Sequence, residues 1–318
     1  MTRSAAIGID LGGTRVKVAL VAQAGRIIVS DSFSFNASAA PSGVVGQMAA
    51  LSATLLQRAS LSEGEVIGVG VGAPGPLSVL EGRIHHCANL PMWINVPLRD
   101  LLSAQLNKPV VLENDGNAAA FGEYWAGAGR EGGDLVMLTL GTGVGGGVVI
   151  GGRLLHGDFE NAAELGHMIV VPDGLPCACG QRGCLEAYAS ATAVAHRVSE
   201  ELARASPGGP PPPHKSITAE QVVEAARRGD ALCDRVWNEA CRYLAVACVN
   251  IQHLYNPRRV VLGGGMAQAG AFLGDRVRQF ARNMTWKLHD DFPEIVLAQL
   301  GYDAGVIGAA GLVWNRSP

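Results

Sequence analysis

Three short apolar runs open the chain, AAIGIDL, VKVALV and RIIVSDSFSF, each rich in β-branched residues and each cut off by glycine or polar residues. That pattern predicts three consecutive strands in a meander. A helix-like stretch around Gly46 to Ala59 follows, then the apolar run VIGVGVG and a turn at APGPL, enforced by Pro74 and Gly75. VVLEND and LVMLTLG read as further strands, the second leading into GVGGGVVI. Beyond Glu186 apolar residues recur at three- and four-residue intervals, most persistently from Asp230 to His253, which predicts a long helix. SPGGPPPPH, Ser206 to His214, fits neither helix nor central strand and predicts an exposed loop between helices. RVVLGGGMAQAG then restates strand, glycines, helix, and a helix from Asp303 to Trp314 closes the chain. A strand running into glycines thus occurs at Asp10, Gly141 and Gly263, which suggests two similar halves around a cleft.

Composition narrows the picture. The 318 residues exceed a typical single domain, and 48% apolar with 17% charged residues and 42 glycines suits a compact, turn-rich α/β protein. A net charge of −3 without a basic run points away from nucleic acid and membrane surfaces and towards a small-molecule partner. Neither a signal peptide nor a membrane-spanning run is recognisable. Of seven cysteines, an odd number, Cys87, Cys233, Cys241 and Cys248 lie in apolar surroundings. Buried thiols in a reducing, cytoplasmic setting are therefore expected over a disulfide framework.

The glycine turns carry the first candidate chemistry. In IDLGGTRVKVALV, Gly12, Gly13 and Thr14 sit between two strands, where backbone without Cβ lets N–H groups approach an anion. Asp10, ending the first strand, is placed to organise a Mg²⁺. Gly141, Thr142 and Gly143 form a second such turn, and Gly264 and Gly265 a third. The sequence has no GxxxxGK[ST], and no GxGxxG in a form suited to a dinucleotide. CACGQRGCLE brings Cys177, Cys179 and Cys184 into one tight loop as three ligands for a structural zinc, the fourth being absent locally. ENDGNAAAFGE sets Asn114 and Asp115 between a strand and a helix, where a helix cap and a side chain projecting into a cleft are both open readings.

DLGGT, GTGVGGG and LGGG, in that order, resemble the phosphate and adenosine motifs of the sugar-kinase and actin superfamily. CACGQRGCLE after ELGH resembles the ROK family of sugar kinases and repressors. The resemblance runs from about Ala6 to the C-terminus and implies an α/β, actin-like (ribonuclease H-like) duplicated fold with two lobes around a cleft. Residues 1–113 plus 301–318 would form the smaller lobe and residues 114–300 the larger, with Trp93 packing the cleft wall. It implies ATP bound with Mg²⁺ through Gly12, Gly13, Thr14, Lys17, Gly141, Thr142, Gly143, Gly264 and Gly265, with Asp10 at the magnesium. It implies that His167 completes a Cys₃His zinc site while facing a sugar hydroxyl, that Asn89, Asn114, Glu164 and Glu186 are further sugar ligands, and that Asp115 is the general base. The implied reaction is phosphorylation of a hexose, glucose at its 6-hydroxyl, by a homodimer or homotetramer. N-acetylmannosamine or N-acetylglucosamine as acceptor is an alternative, as is a non-catalytic sugar-binding regulator. A repressor of the family would carry a helix-turn-helix ahead of DLGGT, where nine residues stand here. Ala163 and Gly116 depart from the family pattern, which usually has Gly and Ala at these places.

Overall fold

The computed structural model describes residues 4–87, 89–205, 217–286 and 292–315, so the proline-rich Ser206 to His214 lies outside the described residues. The elements in chain order are β1 (Ala5–Leu11), β2 (Arg15–Ala22), β3 (Ile27–Ser34), α1 (Pro41–Ala59), β4 (Val66–Ala73), β5 (Leu77–Ser78), β6 (Arg83–Ile84), α2 (Leu98–Leu106), β7 (Val110–Asn114) and α3 (Asp115–Ala126). They continue with β8 (Leu135–Leu140), β9 (Val144–Ile150), β10 (Arg153–Leu154), α4 (Glu186–Ala189), α5 (Ala191–Ala205), α6 (Ala219–Arg227), α7 (Ala231–Tyr255), β11 (Arg259–Gly263), α8 (Ala271–Met284), β12 (Glu294–Leu297) and α9 (Ala304–Trp314). Helix α1 starts at Pro41, earlier than its apolar periodicity shows, because proline presets a helical φ at the first position.

The sheet orders are β3-β2-β1-β4-β7 and β10-β9-β8-β11-β12. In the first, β1 runs antiparallel to β2 and parallel to β4; in the second, β8, β11 and β12 run parallel. The same order twice in one chain is the duplicated actin-like, ribonuclease H-like architecture that the family resemblance implied.

Two compact units result, one of residues 1–132, 147–163 and 299–318, the other of residues 133–146 and 164–298. The chain therefore passes between units four times, where a division after residues 113 and 300 needs two crossings. Helix α3, expected in the larger lobe, belongs to the first unit. The reason is a backbone-to-backbone contact with α9: a Cβ on Gly308 would overlap the carbonyl of Ala118, and one on Gly122 the carbonyl of Ala304.

Strand alternation in the first unit explains why those helices fit. Ile7 and Ile9 of β1 and Val69 and Val71 of β4 point into one core with Met48, Leu55, Trp93, Leu98 and Leu102. Burying each such side chain stabilises by about 1.5–3 kcal/mol. Trp93 is thus fully buried core. The intervening positions are small: Ala6 joins Ala19, Val306, Ile307 and Ala310 on the other face, while Gly8 and Gly70 lie directly under the backbone of α9. Asp10 shares this face and meets the start of α9 at Gly305, where a Cβ would stand 3.0 Å from its carboxylate. Glu123, buried, closes the other end of α3 by accepting the N–H groups of Ala128 at 2.8 Å, Gln299 at 3.1 Å and Leu300 at 2.7 Å.

Gly70→Val is expected to cost more than about 3 kcal/mol by overpacking, because its side chain would enter the backbone of α9. Gly46→Ala, inside α1 with nothing near the new Cβ, is expected to gain about 1 kcal/mol. Thermal melting of the two proteins checks both signs.

In the second unit α7 is the spine. Asp230 caps it by accepting the Cys233 N–H at 2.8 Å, and Asn256 in left-handed conformation ends it. Its Cys233, Cys241 and Cys248 are buried thiols, as is Cys87 in the first unit. No described helix is long and apolar enough to cross a membrane.

Candidate active site

Asn114 resolves the two readings of its strand-to-helix junction. Its side chain is the N-cap of α3, accepting the N–H groups of Gly116 at 2.9 Å and Asn117 at 3.2 Å. Asp115 is consequently the first helical residue and exposed, with one carboxylate oxygen accepting the Gly116 N–H at 2.8 Å. The Asn114 amide nitrogen faces Gly75, where a Cβ would stand 3.5 Å away. Gly72 of β4 lies under the Asp115 Cα, so a strand of alternating glycines seats the turn that presents this carboxylate.

The first glycine turn belongs to the same unit. Gly12 donates its N–H to the Arg15 carbonyl at 2.9 Å, and Thr14 is exposed. A Cβ on Gly13 would stand 3.3 Å from the Cβ of Asn89, which brings the turn beside an exposed sugar-ligand candidate. Lys17, expected among the nucleotide ligands, pairs with Asp303 at the start of α9. Burial holds the Asp10 carboxyl above its ordinary range, and the Lys17 charge pulls it back. A desolvated carboxylate over a glycine is a donor set that suits a hydrated magnesium ion.

Two glycine turns meet in the second unit. Parallel pairing sets Gly263 against Thr139, so that Gly264, at φ +82°, lies against the backbone of Leu140 just before Gly141. No atom stands near the place a Cβ would take on Gly141 or Gly265, and Thr142 is exposed. Open backbone at two neighbouring strand ends leaves room for an anion to approach the N–H groups. Gly143 is confined: a Cβ there would overlap a Glu186 carboxylate oxygen.

His167, Cys177, Cys179 and Cys184 place their ligand atoms within 4.8 Å of one another. The Cys179 and Cys184 sulfurs are 3.7 Å apart, and the Cys177 sulfur is 3.8 Å from His167 Nδ1. Tetrahedral zinc with bonds of about 2.3 Å to sulfur requires edges of about 3.8 Å, so the four residues fit the metal. The loop is built for this approach: Cys177 donates its N–H to Gln181, and Gly183, at φ +80°, packs where a Cβ would enter the Val171 carbonyl. Because Nδ1 turns to the sulfurs, Nε2 is the ring nitrogen left for another partner. Glu186 follows directly at the start of α4. One of its oxygens accepts the Val144 N–H at 2.9 Å and the other lies 3.6 Å from the Cys177 sulfur. Glu164 is exposed and opens the short turn that carries His167, its carbonyl accepting the His167 N–H at 3.0 Å.

Ala163, immediately before Glu164, has φ +67°, in the region that favours glycine. Holding an alanine there costs about 1–2 kcal/mol. The family's usual glycine is free of that cost, so Ala163→Gly is expected to raise the melting temperature. Gly116 lies buried in the first turn of α3. Glu113 and His156 were not singled out by motif reading; the signal for Glu113 is a charged residue amid an apolar strand.

The ROK family profile matches residues 6–316. A glucokinase of Thermotoga maritima is 38% identical over 318 residues, with 98% of this chain and 97% of that protein covered. An N-acetylmannosamine kinase of Yersinia pestis is 31% identical over 313 residues, with 98% of each covered. Among solved structures, a ROK family glucokinase from Streptomyces griseus in complex with glucose and AMPPNP has a TM-score of 0.79 at 34% identity, covering 97% of this chain and 99% of that one.

Proposed function

Because the chain belongs to the ROK family and is a sugar kinase, we propose that it transfers the γ-phosphoryl group of ATP to the 6-hydroxyl of glucose. The observation that carries the chemistry is Asp115, an exposed carboxylate on the first turn of a helix whose cap is supplied by Asn114. Asp115 accepts the proton of the sugar hydroxyl as its oxygen bonds to the γ-phosphorus and the bond to the β-phosphate oxygen breaks, leaving ADP and glucose 6-phosphate. Asn89, Asn114, Glu164, His167 and Glu186 hold the remaining hydroxyls, His167 through Nε2. Backbone N–H groups of the Gly12–Thr14, Gly141–Gly143 and Gly264–Gly265 turns hold the nucleotide, and Lys17 supports Asp10 electrostatically. Magnesium at Asp10, when bound, neutralises phosphate charge, and zinc on His167, Cys177, Cys179 and Cys184 holds the loop that carries Glu186. A reducing cytoplasm, which keeps those thiols available, and a homodimeric or homotetrameric assembly are part of the proposal.

A panel of hexoses and phosphoryl donors, read by coupled product release, tests the assignment. Glucose with ATP is expected to give the highest kcat/KM. A preference for N-acetylmannosamine, the acceptor named for the Yersinia pestis relative, would replace glucose while leaving the kinase reading intact.

A further inference from the structure

Glu113 is a carboxylate 2% exposed in β7, between residues that belong to the apolar core or to the site. Removing such a group from water costs several kcal/mol unless its oxygens are fully bonded. They are, and the partners are specific. Oε1 accepts the Asn114 N–H at 2.9 Å and the Asn117 side-chain amide at 3.0 Å. Oε2 lies 2.8 Å from His156 Nε2. One buried oxygen thus grips the residue before Asp115 and the residue two after it. The second oxygen is held by an imidazole 43 positions away in sequence. Gly147 packs against Asn117 from the same stretch of chain, and Glu160, further along it, anchors that stretch to Ser78 at 2.5 Å and to the Leu80 N–H at 2.8 Å.

We propose that buried Glu113 and half-buried His156 form a pair that fixes the first turn of α3 and so aims the Asp115 carboxylate, making both positioning residues for the phosphoryl transfer. This rests on Asp115 as the general base. A proton acceptor must sit within hydrogen-bond reach of its substrate hydroxyl, and a displacement of about 1 Å can cost a hundredfold in rate. The Asn114 cap alone fixes the helix start through side-chain bonds; Glu113 adds a bond to the Asn114 backbone and orients Asn117, so the turn is clamped on both sides of Asp115.

The charged groups facing His156 are Glu113 from β7 and Glu160 from its own loop. The hydrogen bond to Glu113 raises the imidazole above its ordinary value, burial opposes this, and the charges of Glu113 and Glu160 add to the rise. With a raised value the imidazolium is present at lower pH and is lost as pH climbs through it. The clamp therefore weakens on the alkaline side.

The experiment compares Glu113→Gln, His156→Leu, His156→Gln and Asp115→Asn by kcat, sugar KM, pH profile and thermal melting. Glu113→Gln and His156→Leu are expected to lower kcat about 10- to 100-fold with the glucose KM within about threefold of wild type. His156→Gln, which keeps an N–H donor near the Nε2 position but cannot titrate, is expected to recover most of kcat at neutral pH and to lose the alkaline decline. The idea is overturned by unchanged kcat in Glu113→Gln and His156→Leu with only a lower melting point, or by an alkaline decline that persists in His156→Gln. If His156→Leu fails to fold, Glu113→Gln and His156→Gln decide. Inactive Asp115→Asn with normal Glu113→Gln removes the positioning role alone, whereas near-wild-type Asp115→Asn removes the base and with it anything to aim.

Discussion

Asp115→Asn is expected to lower kcat by about a hundred- to ten-thousandfold, the usual contribution of a general base, while leaving the glucose KM nearly unchanged. The expectation follows from what the substitution preserves. The Asp115 oxygen that accepts the Gly116 N–H has an equivalent in the asparagine carbonyl, and the Asn114 cap does not involve the Asp115 side chain. The first turn of α3 therefore stays in place, and only the capacity to take a proton is lost. The sugar-ligand candidates Glu164, His167 and Glu186 lie elsewhere in the chain and are untouched. Steady-state kinetics with glucose and ATP decide the matter, and near-wild-type turnover would sink the base assignment.

On the proposed Cys₃His zinc site, Cys179→Ser is expected to abolish zinc binding and to raise the sugar KM much more than the ATP KM. Structural zinc sites in small domains contribute about 10–16 kcal/mol of apparent binding energy, so loss of one thiolate from four ligands should empty the site. The consequence for sugar follows from connectivity. His167 is itself a ligand candidate, and Glu186, two residues after Cys184, lies against the Cys177 sulfur. Without the metal, three thiols and an imidazole packed within 4.8 Å lose the common centre that holds them. Elemental analysis of the purified protein is expected to give one zinc per chain, and full activity in a metal-free preparation would defeat the link between zinc and sugar. The Gly264 turn rests on the Leu140 backbone and not on the thiol loop, whereas the Gly141–Gly143 turn touches that loop through the Val144 N–H bond to Glu186, so the ATP KM is expected to move, but less than the sugar KM.

Whatever depends on neighbours in sequence was legible in the sequence. The three-strand meander, the glycines ending β1, β8 and β11, the long helix of α7 and the clustered cysteines all follow from local periodicity, turn chemistry or spacing. Three features were decided only by tertiary structure, because their partners are far apart along the chain. The placement of α3 depends on Gly122 and Gly308 letting two helix backbones touch, and nothing near residue 122 announces a contact with residue 308. Lys17 finds Asp303 across 286 positions, and Glu113 finds His156 across 43. The reading of the Asn114–Asp115 junction was open for a different reason: a polar side chain at a helix start can either cap the helix or project into a cleft, and propensity alone does not separate the two. The packing of Gly72 beneath Asp115 and of Gly75 beside Asn114 seats the junction so that Asn114 bonds inward to the helix and Asp115 stays exposed. Local chemistry thus determined which residues were available, and the close approach of glycine-bearing backbones determined which of them are bonded into the helix and which stay exposed.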